Sequence, residues 1–300
     1  MTGVPFVWLE ITGRCQLSCT HCYADSGPHR DHGSMRREDW ERVIDEAAEL
    51  GAPMVQFIGG EPTLHPDLPG LIRLALDRGL EVEVFSNLVR IRSELWELFQ
   101  EPGVRLATSY YSADPVQHDA VTGRPSHDRT LANIEEAVRR RVPLRVGVIE
   151  VDPAQRAGEA AAELGELGIP RVGVDRLRGV GRGGAGGADQ LCGHCADGSL
   201  AVMPDGAVYP CIMSRWLPIG DASRTGLGDI HESERARAVR DDLRREFTAV
   251  QANRPCTPYG CVPRCSPLIC GPGRCGPVMD PPPEPCSPRS SCSPRQTPPA

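Results

Sequence analysis

The chain contains no lysine: all 33 basic side chains in its 300 residues are arginine. That absence excludes a phosphate-binding GK[ST] loop and any Schiff-base lysine. No apolar run approaches the ~18 residues of a membrane span. The N-terminal segment, MTGVPFVWLEITGRC, lacks the basic stretch and cleavable apolar core of a secretory signal. A net charge of −7 gives no electrostatic reason to expect nucleic acid or an anionic membrane as partner. These absences describe a cytoplasmic protein.

Cysteine is absent over one long stretch and crowded elsewhere. Of 13 cysteines, three lie at Cys15, Cys19 and Cys22, and ten fall between Cys192 and Cys292. Secreted disulfide scaffolds are short and Cys-dense throughout, whereas clustered cysteines in a cytosolic chain are metal ligands or redox groups.

Residues 4–176 alternate strands with helices. Strands are expected at Val7–Ile11, Met54–Ile58, Val82–Phe85, Val104–Ser109, Leu144–Val151 and Arg171–Val174. Helices are expected at Arg37–Leu50, Leu68–Arg78, Leu95–Phe99, Thr130–Arg140 and Ala154–Leu167, several stopped by glycine or proline. Such alternation implies right-handed βαβ crossovers and a parallel sheet. The units are too few for an eight-fold closed barrel, which leaves an open partial barrel or a doubly wound sheet. The chain divides into an α/β domain at 1–180, a Gly-rich linker at 181–189, a Cys-rich domain at 190–275 and a Pro-rich tail at 276–300. Gly179–Gly187 reads as a flexible joint or a backbone-exposing loop. The tail lacks the apolar residues for a core and reads as disordered.

Chemistry concentrates at two strand ends. Cys15-Gln-Leu-Ser-Cys19-Thr-His-Cys22 is C-x3-C-x2-C: three thiolates on one tight loop, able to hold three corners of a cubane iron–sulfur cluster and leave the fourth open. The alternative is a zinc knuckle, which wants a fourth ligand nearby. Gly59-Gly60-Glu61-Pro62 follows the second strand, where two glycines let backbone approach a ligand closely. Alone, that tetrapeptide is as easily a turn. Together the two motifs resemble those of the radical S-adenosylmethionine enzymes. The resemblance covers about residues 4–180 and implies a partial (β/α)6 barrel of TIM type. It implies that Cys15, Cys19 and Cys22 ligate a 4Fe–4S cluster whose fourth iron is chelated by S-adenosylmethionine. It further implies contact of Gly59–Pro62 with the methionine amino group, and one-electron cleavage of the cofactor to a 5′-deoxyadenosyl radical. Ser86-Asn87, Ser109 and Arg176 match further cofactor-side positions. His118-Asp-Ala-Val-Thr-Gly123 resembles a family segment read here as loop architecture.

In the second group, Cys195 and Cys211 flank Met-Pro-Asp205-Gly206-Ala-Val-Tyr-Pro, a hairpin expected to turn at Asp-Gly as type I′. This resembles the opening half of the SPASM extension, which implies one or two auxiliary iron–sulfur clusters, with Cys192 as a further candidate ligand. The later cysteines, Cys256, Cys261, Cys265, Cys270 and Cys275, suffice in number but depart from that extension's spacing. Zinc is the alternative metal. Cys286 and Cys292 are expected to be free thiols in the tail.

The resemblance implies a radical maturase acting on a peptide or protein, reduced by an external one-electron donor of flavodoxin or ferredoxin type. With the first strand near residue 7, leader-peptide recognition is expected to fall to a separate protein. The alternatives are modification of a small molecule such as a porphyrin or sugar, and a non-catalytic iron–sulfur or zinc protein.

Overall fold

The computed structural model describes residues 4–192 and 194–252. Cys256, Cys261, Cys265, Cys270, Cys275, Cys286 and Cys292, with the expected tail, lie outside the described residues.

Six parallel strands build the barrel wall: β1 (Val7–Thr12), β2 (Met54–Gly59), β3 (Glu81–Phe85), β4 (Val104–Tyr110), β5 (Leu144–Glu150) and β6 (Arg171–Arg176). They alternate with α1 (Arg37–Glu49), α2 (Leu68–Asp77), α3 (Ser93–Phe99), α4 (Pro115–Thr122), α5 (His127–Arg139) and α6 (Ala157–Glu166). The sheet runs β6-β5-β4-β3-β2-β1 and then continues through β7 (Leu200–Val202), β8 (Ala207–Tyr209) and β9 (Gly220–Asp221). β7 pairs parallel with β1, so the Cys-rich segment extends the barrel sheet rather than standing apart from it. Helices α7 (Leu227–Glu232) and α8 (Glu234–Ala252) follow. This is the expected open partial barrel.

Apolar spacing explains the helices. α1 buries Trp40, Val43, Ile44 and Ala47 on one face, and α2 buries Leu68, Leu71, Ile72 and Ala75. They pack on strand residues that carry no exposed surface, including Leu9, Val55, Phe57, Val82 and Val84. Each such side chain contributes about 1.5–3 kcal/mol by leaving water.

Two expectations need correction. Rather than forming a plain loop, the segment from His118 to Thr122 lies in a helix, α4, and Gly123 is its left-handed cap. Asp114 caps it by accepting the Val116 N–H at 2.8 Å, and Pro115 fits the first turn, where no N–H donor is needed. The β7–β8 hairpin is present, but its turn is not type I′. Asp205 does not take positive φ, and Gly206 alone does (φ +90°), donating to Met203 O at 2.9 Å. Pro204 sits where a type I turn accepts proline, giving a three-residue loop closed by a left-handed glycine.

The barrel interior is polar at its base. Gln56 on β2, Glu83 on β3 and Arg105 on β4 stand side by side. Arg145 on β5 reaches across β4 to both Glu83 oxygens, at 2.7 and 2.9 Å. Glu83 is wholly buried and Arg145 nearly so. Burial works against the Glu83 charge, but Arg145, Arg105 and Gln56 outweigh it and hold the carboxyl below its ordinary range. None of these residues carries a sequence signal of its own. Glu83→Ala, which removes the buried carboxylate paired with Arg145, is expected to cost about 3–5 kcal/mol in denaturant unfolding. The double variant Glu83→Leu/Arg145→Met should cost less than the single one. Because the folded carboxyl is depressed, the stability it adds is present above its ordinary value of 4.5 and fades as pH falls below it.

Candidate functional site

The first cysteine loop leaves β1 at Thr12 and is fixed mainly by backbone. Cys15 N donates to Gly27 O at 3.1 Å, and Ser18 N and Thr20 N donate to Thr122 O and Val121 O at the end of α4, both at 3.0 Å. Cys15 is buried, and Cys19 and Cys22 are half-buried. N–H groups already point at two of the sulfurs. Leu17 N and Asn87 Nδ2 lie 3.4 and 3.5 Å from Cys15 Sγ, and Ser26 N lies 3.4 Å from Cys22 Sγ. Burial first, then the Glu61 charge, pushes the Cys15 thiol far up. Burial and then Cys22 push Cys19 up to about 12, against the opposing pull of Arg182. Cys15 and Cys19 are therefore thiols whose ionisation calls for added positive charge, and hydrogen-bond donors are aimed at the Cys15 and Cys22 sulfurs. That donor set suits an iron–sulfur centre.

The two glycines at the end of β2 sit directly against this loop. Gly60 N donates to Thr12 O at 2.7 Å, and Glu61 N donates to Arg14 O at 2.8 Å. A Cβ on Gly60 would lie 2.3 Å from Arg14 O, so no larger residue fits without moving the loop. Gly59 and Gly60 line a solvent-open cavity of about 1040 Å³ shared with Cys15, Cys19 and Cys22.

Glu61 does not line this cavity. It is fully buried, with Oε1 accepting from Thr63 N (3.1 Å), Thr63 Oγ1 (2.6 Å) and Ser86 Oγ (2.8 Å), and Oε2 accepting from Asn87 N (2.8 Å). Burial raises its pKa and these donors pull it back only in part. Pro62 opens a buried single turn beneath it. Of the residues the sequence singles out, Gly59, Gly60, Asn87, Ser109 and Arg176 line the cavity, while Glu61, Pro62 and Ser86 stand behind it. The side-chain amides of Asn87 and Gln16 also bond each other, at 3.0 and 3.4 Å, beside Cys15.

The motifs assign no cofactor role to several other lining residues, among them His21 inside the cysteine loop and His118 in the segment read as loop architecture. Tyr111 shares the inward phase of Ser109, two residues on, which is the signal that finds it. Burial, then Cys19 and Cys22, pushes its phenol well up. His21 packs edge-on to Tyr111 at 5.1 Å. His118 packs edge-on to Tyr111 at 5.3 Å and leaves its buried Nδ1 without a partner. Burial lowers both imidazoles to about 4, so they are neutral at pH 7. Met213 reaches the cavity from the C-terminal segment. Nearby, Arg215 pairs with buried Glu10 of β1 at 2.7 and 2.9 Å and lies over the Tyr23 ring at 5.8 Å.

The second group is brought together in part. The buried Cys195 thiol is hydrogen-bonded to those of Cys192 and Cys211, contacts that raise its pKa together with burial. Met213 N lies 3.3 Å from Cys211 Sγ. Among the described residues no three His, Cys, Asp or Glu side chains are arranged to hold a metal ion as they stand.

Comparison with known proteins agrees with this geometry. Residues 9–153 match the family model of the radical SAM superfamily, and residues 192–262 match that of an iron–sulfur cluster-binding domain, SPASM. The chain is 32% identical over 175 residues to the AdoMet-dependent heme synthase of Methanosarcina barkeri, covering 56% of this chain and 50% of that protein. It is 29% identical over 162 residues to the PqqA peptide cyclase of Streptomyces rochei, covering 52% and 44%. The chain thus spans half or less of the length of these curated relatives. Streptococcus suis SuiB bound to its precursor peptide SuiA shares the fold, with a TM-score of 0.69 at 15% identity over 80% of this chain and 67% of that one. So does anSMEcpe with bound AdoMet and a peptide, with a TM-score of 0.63 at 14% identity over 80% and 83%.

Gly60→Ala should displace the loop that carries Cys15. In iron-free protein, maleimide labelling of the buried Cys15 is expected to quicken roughly tenfold, the effect of ~1.4 kcal/mol of lost local stability. Labelling at the wild-type rate would show that the Gly60 contact does not fix the loop.

Proposed function

The chain belongs to the radical SAM superfamily and carries an iron–sulfur cluster-binding extension, and from that membership we propose that it is a radical enzyme that modifies a peptide or protein. Cys15, Cys19 and Cys22 are the ligands of the first 4Fe–4S cluster in this reading. The cluster, when bound, supplies the electron that splits S-adenosylmethionine into methionine and a 5′-deoxyadenosyl radical, which takes a hydrogen atom from the substrate. The chain's own residues bind and orient. Backbone at Gly59 and Gly60 meets the cofactor, Glu61 braces that edge from behind, and Asn87, Ser109 and Arg176 line the same cavity. The Arg176 guanidinium makes one long bond, to Asp189 O at 3.4 Å, and is exposed, so it is available to a carboxylate. Tyr111, His21 and His118 wall the cavity with apolar ring surface and uncharged imidazoles, which limits water near a radical.

Cys192, Cys195 and Cys211, with ligands from Cys256, Cys261, Cys265, Cys270 and Cys275, hold one or two auxiliary clusters in this reading. The observation that carries the whole is the meeting of three thiols and the Gly59–Gly60 backbone at one cavity on the C-terminal rim of a parallel barrel. Peptide substrates are favoured by the similarity to PqqA peptide cyclases. An external one-electron donor of flavodoxin or ferredoxin type, a separate leader-binding protein and a cytoplasmic setting complete the proposal. Among the described residues no helix is long and apolar enough to cross a membrane. Similarity to the AdoMet-dependent heme synthase favours a second reading, modification of a porphyrin.

Anaerobic reconstitution tests the proposal. About four irons per chain correspond to the first cluster alone, and about eight or twelve to one or two more. Reduced protein should convert S-adenosylmethionine to 5′-deoxyadenosine, and Cys15→Ala should fall to the protein-free control. Faster 5′-deoxyadenosine formation with synthetic peptides than with iron coproporphyrin supports the first reading, and the reverse supports the second. No cleavage under any condition would overturn both.

A further inference from the structure

The Gly-rich stretch is packed against the first cysteine loop, and one side chain in it accounts for the packing. Arg182 stands in a short turn, Gly181–Gly183. Its Nε donates to Cys19 O at 2.9 Å, its Nη1 to Asp25 Oδ1 at 2.8 Å and its Nη2 to Ser26 O at 2.9 Å. Its backbone N–H donates to Cys22 O at 3.0 Å. Gly181 makes this approach feasible: it takes φ +61°, and a Cβ there would lie 2.3 Å from Tyr23 O and 2.5 Å from Cys22 O. One arginine thus ties down three backbone carbonyls between Cys19 and Ser26. It also holds Asp25, itself in the left-handed region at φ 50°.

Every nitrogen of this guanidinium has an acceptor within the loop, so Arg182 is not a free cation awaiting a ligand. Its positive charge nevertheless sits against the cysteine loop, at the Cys19 and Ser26 carbonyls and the Asp25 carboxylate. Downstream, Arg178 Nη1 donates to Gln190 O at 2.9 Å, and Gly179 N donates to Gln190 Oε1 at 2.9 Å. The stretch is therefore pinned on both sides of Arg182 on its way to Cys192.

We propose that Arg182 is the positioning residue of the radical site: it clasps the Cys19–Ser26 segment in its folded form, and its fixed charge beside the thiolates raises the reduction potential of the cluster they hold. The second half rests on the proposed function; the first does not. A cation beside the cluster favours the reduced form, which carries one more negative charge. Removing that cation makes the electron harder to add.

Two variants separate clasp from charge. Arg182→Lys keeps the charge but cannot reproduce the three-way fork. Arg182→Gln removes the charge. Hydrogen–deuterium exchange on the iron-free protein reads the clasp, and an EPR-monitored redox titration of the reconstituted enzyme reads the charge. Both variants should exchange the 19–26 amides at least tenfold faster than wild type. Arg182→Gln should shift the reduction equilibrium against the reduced cluster by about tenfold, or 59 mV for a one-electron couple. Arg182→Lys should stay closer to wild type in the titration. Unchanged exchange in Arg182→Lys overturns the clasp, and an unchanged potential in Arg182→Gln overturns the electrostatic role. Wild-type protein that takes up no iron would instead sink the proposed function, and the exchange experiment would still decide the clasp.

Discussion

The site depends on one buried carboxylate. Glu61 gathers Thr63 from its own strand end and Ser86 and Asn87 from the next, and its backbone N–H bonds to Arg14 O in the first cysteine loop. Asn87, placed by that carboxylate, then donates to Cys15 Sγ. Three consecutive strand ends are thereby locked into one register, while the carboxylate that joins them stays out of the cavity. Burial works against the Glu61 charge, and the donors gathered around the carboxylate offset that burial only in part. The cavity receives from this arrangement a rigid backbone edge at Gly59–Gly60.

A polar interior lies below that edge. Glu83, Arg145, Arg105 and Gln56 fill the base of the barrel, and Arg145 lies over the ring of Phe85, itself a cavity-lining residue, at 5.5 Å. The Glu10–Arg215 pair plays the corresponding part between β1 and the C-terminal segment. Buried ion pairs add little net stability, but removing one member is costly. They fix where strands and segments sit relative to one another. In this chain one of them joins the barrel to the segment that carries Cys211.

Much of this was legible from the residues. Apolar runs marked β1 and β2, which are buried throughout, while β6, largely exposed at the end of the sheet, was marked by its place in the strand–helix alternation. The spacing of Cys15, Cys19 and Cys22 and the Gly59–Gly60 pair located the cavity. α4 was missed because its apolar pattern is weak and its start signal is a single Asp-Pro. Glu61 read as a ligand-facing group because a carboxylate beside two glycines invites that reading; only the fold shows its oxygens already engaged. Gly179–Gly187 read as either slack or close approach, and the Arg182 contacts, 163 residues from Cys19 along the chain, could not be deduced from spacing. The Glu83–Arg145 and Glu10–Arg215 pairs were equally hidden, since complementary charges far apart in sequence carry no periodic signal.

These elements converge on one claim: the three-cysteine loop and the Gly59–Gly60 edge form a single site in which a cluster and S-adenosylmethionine are in contact. The most direct measurement is the EPR spectrum of the reduced, reconstituted enzyme before and after S-adenosylmethionine is added. Direct binding of the cofactor to the cluster predicts a shift in the g values of the signal that depends on Cys15, Cys19 and Cys22. A spectrum that the cofactor leaves unchanged would contradict the claim.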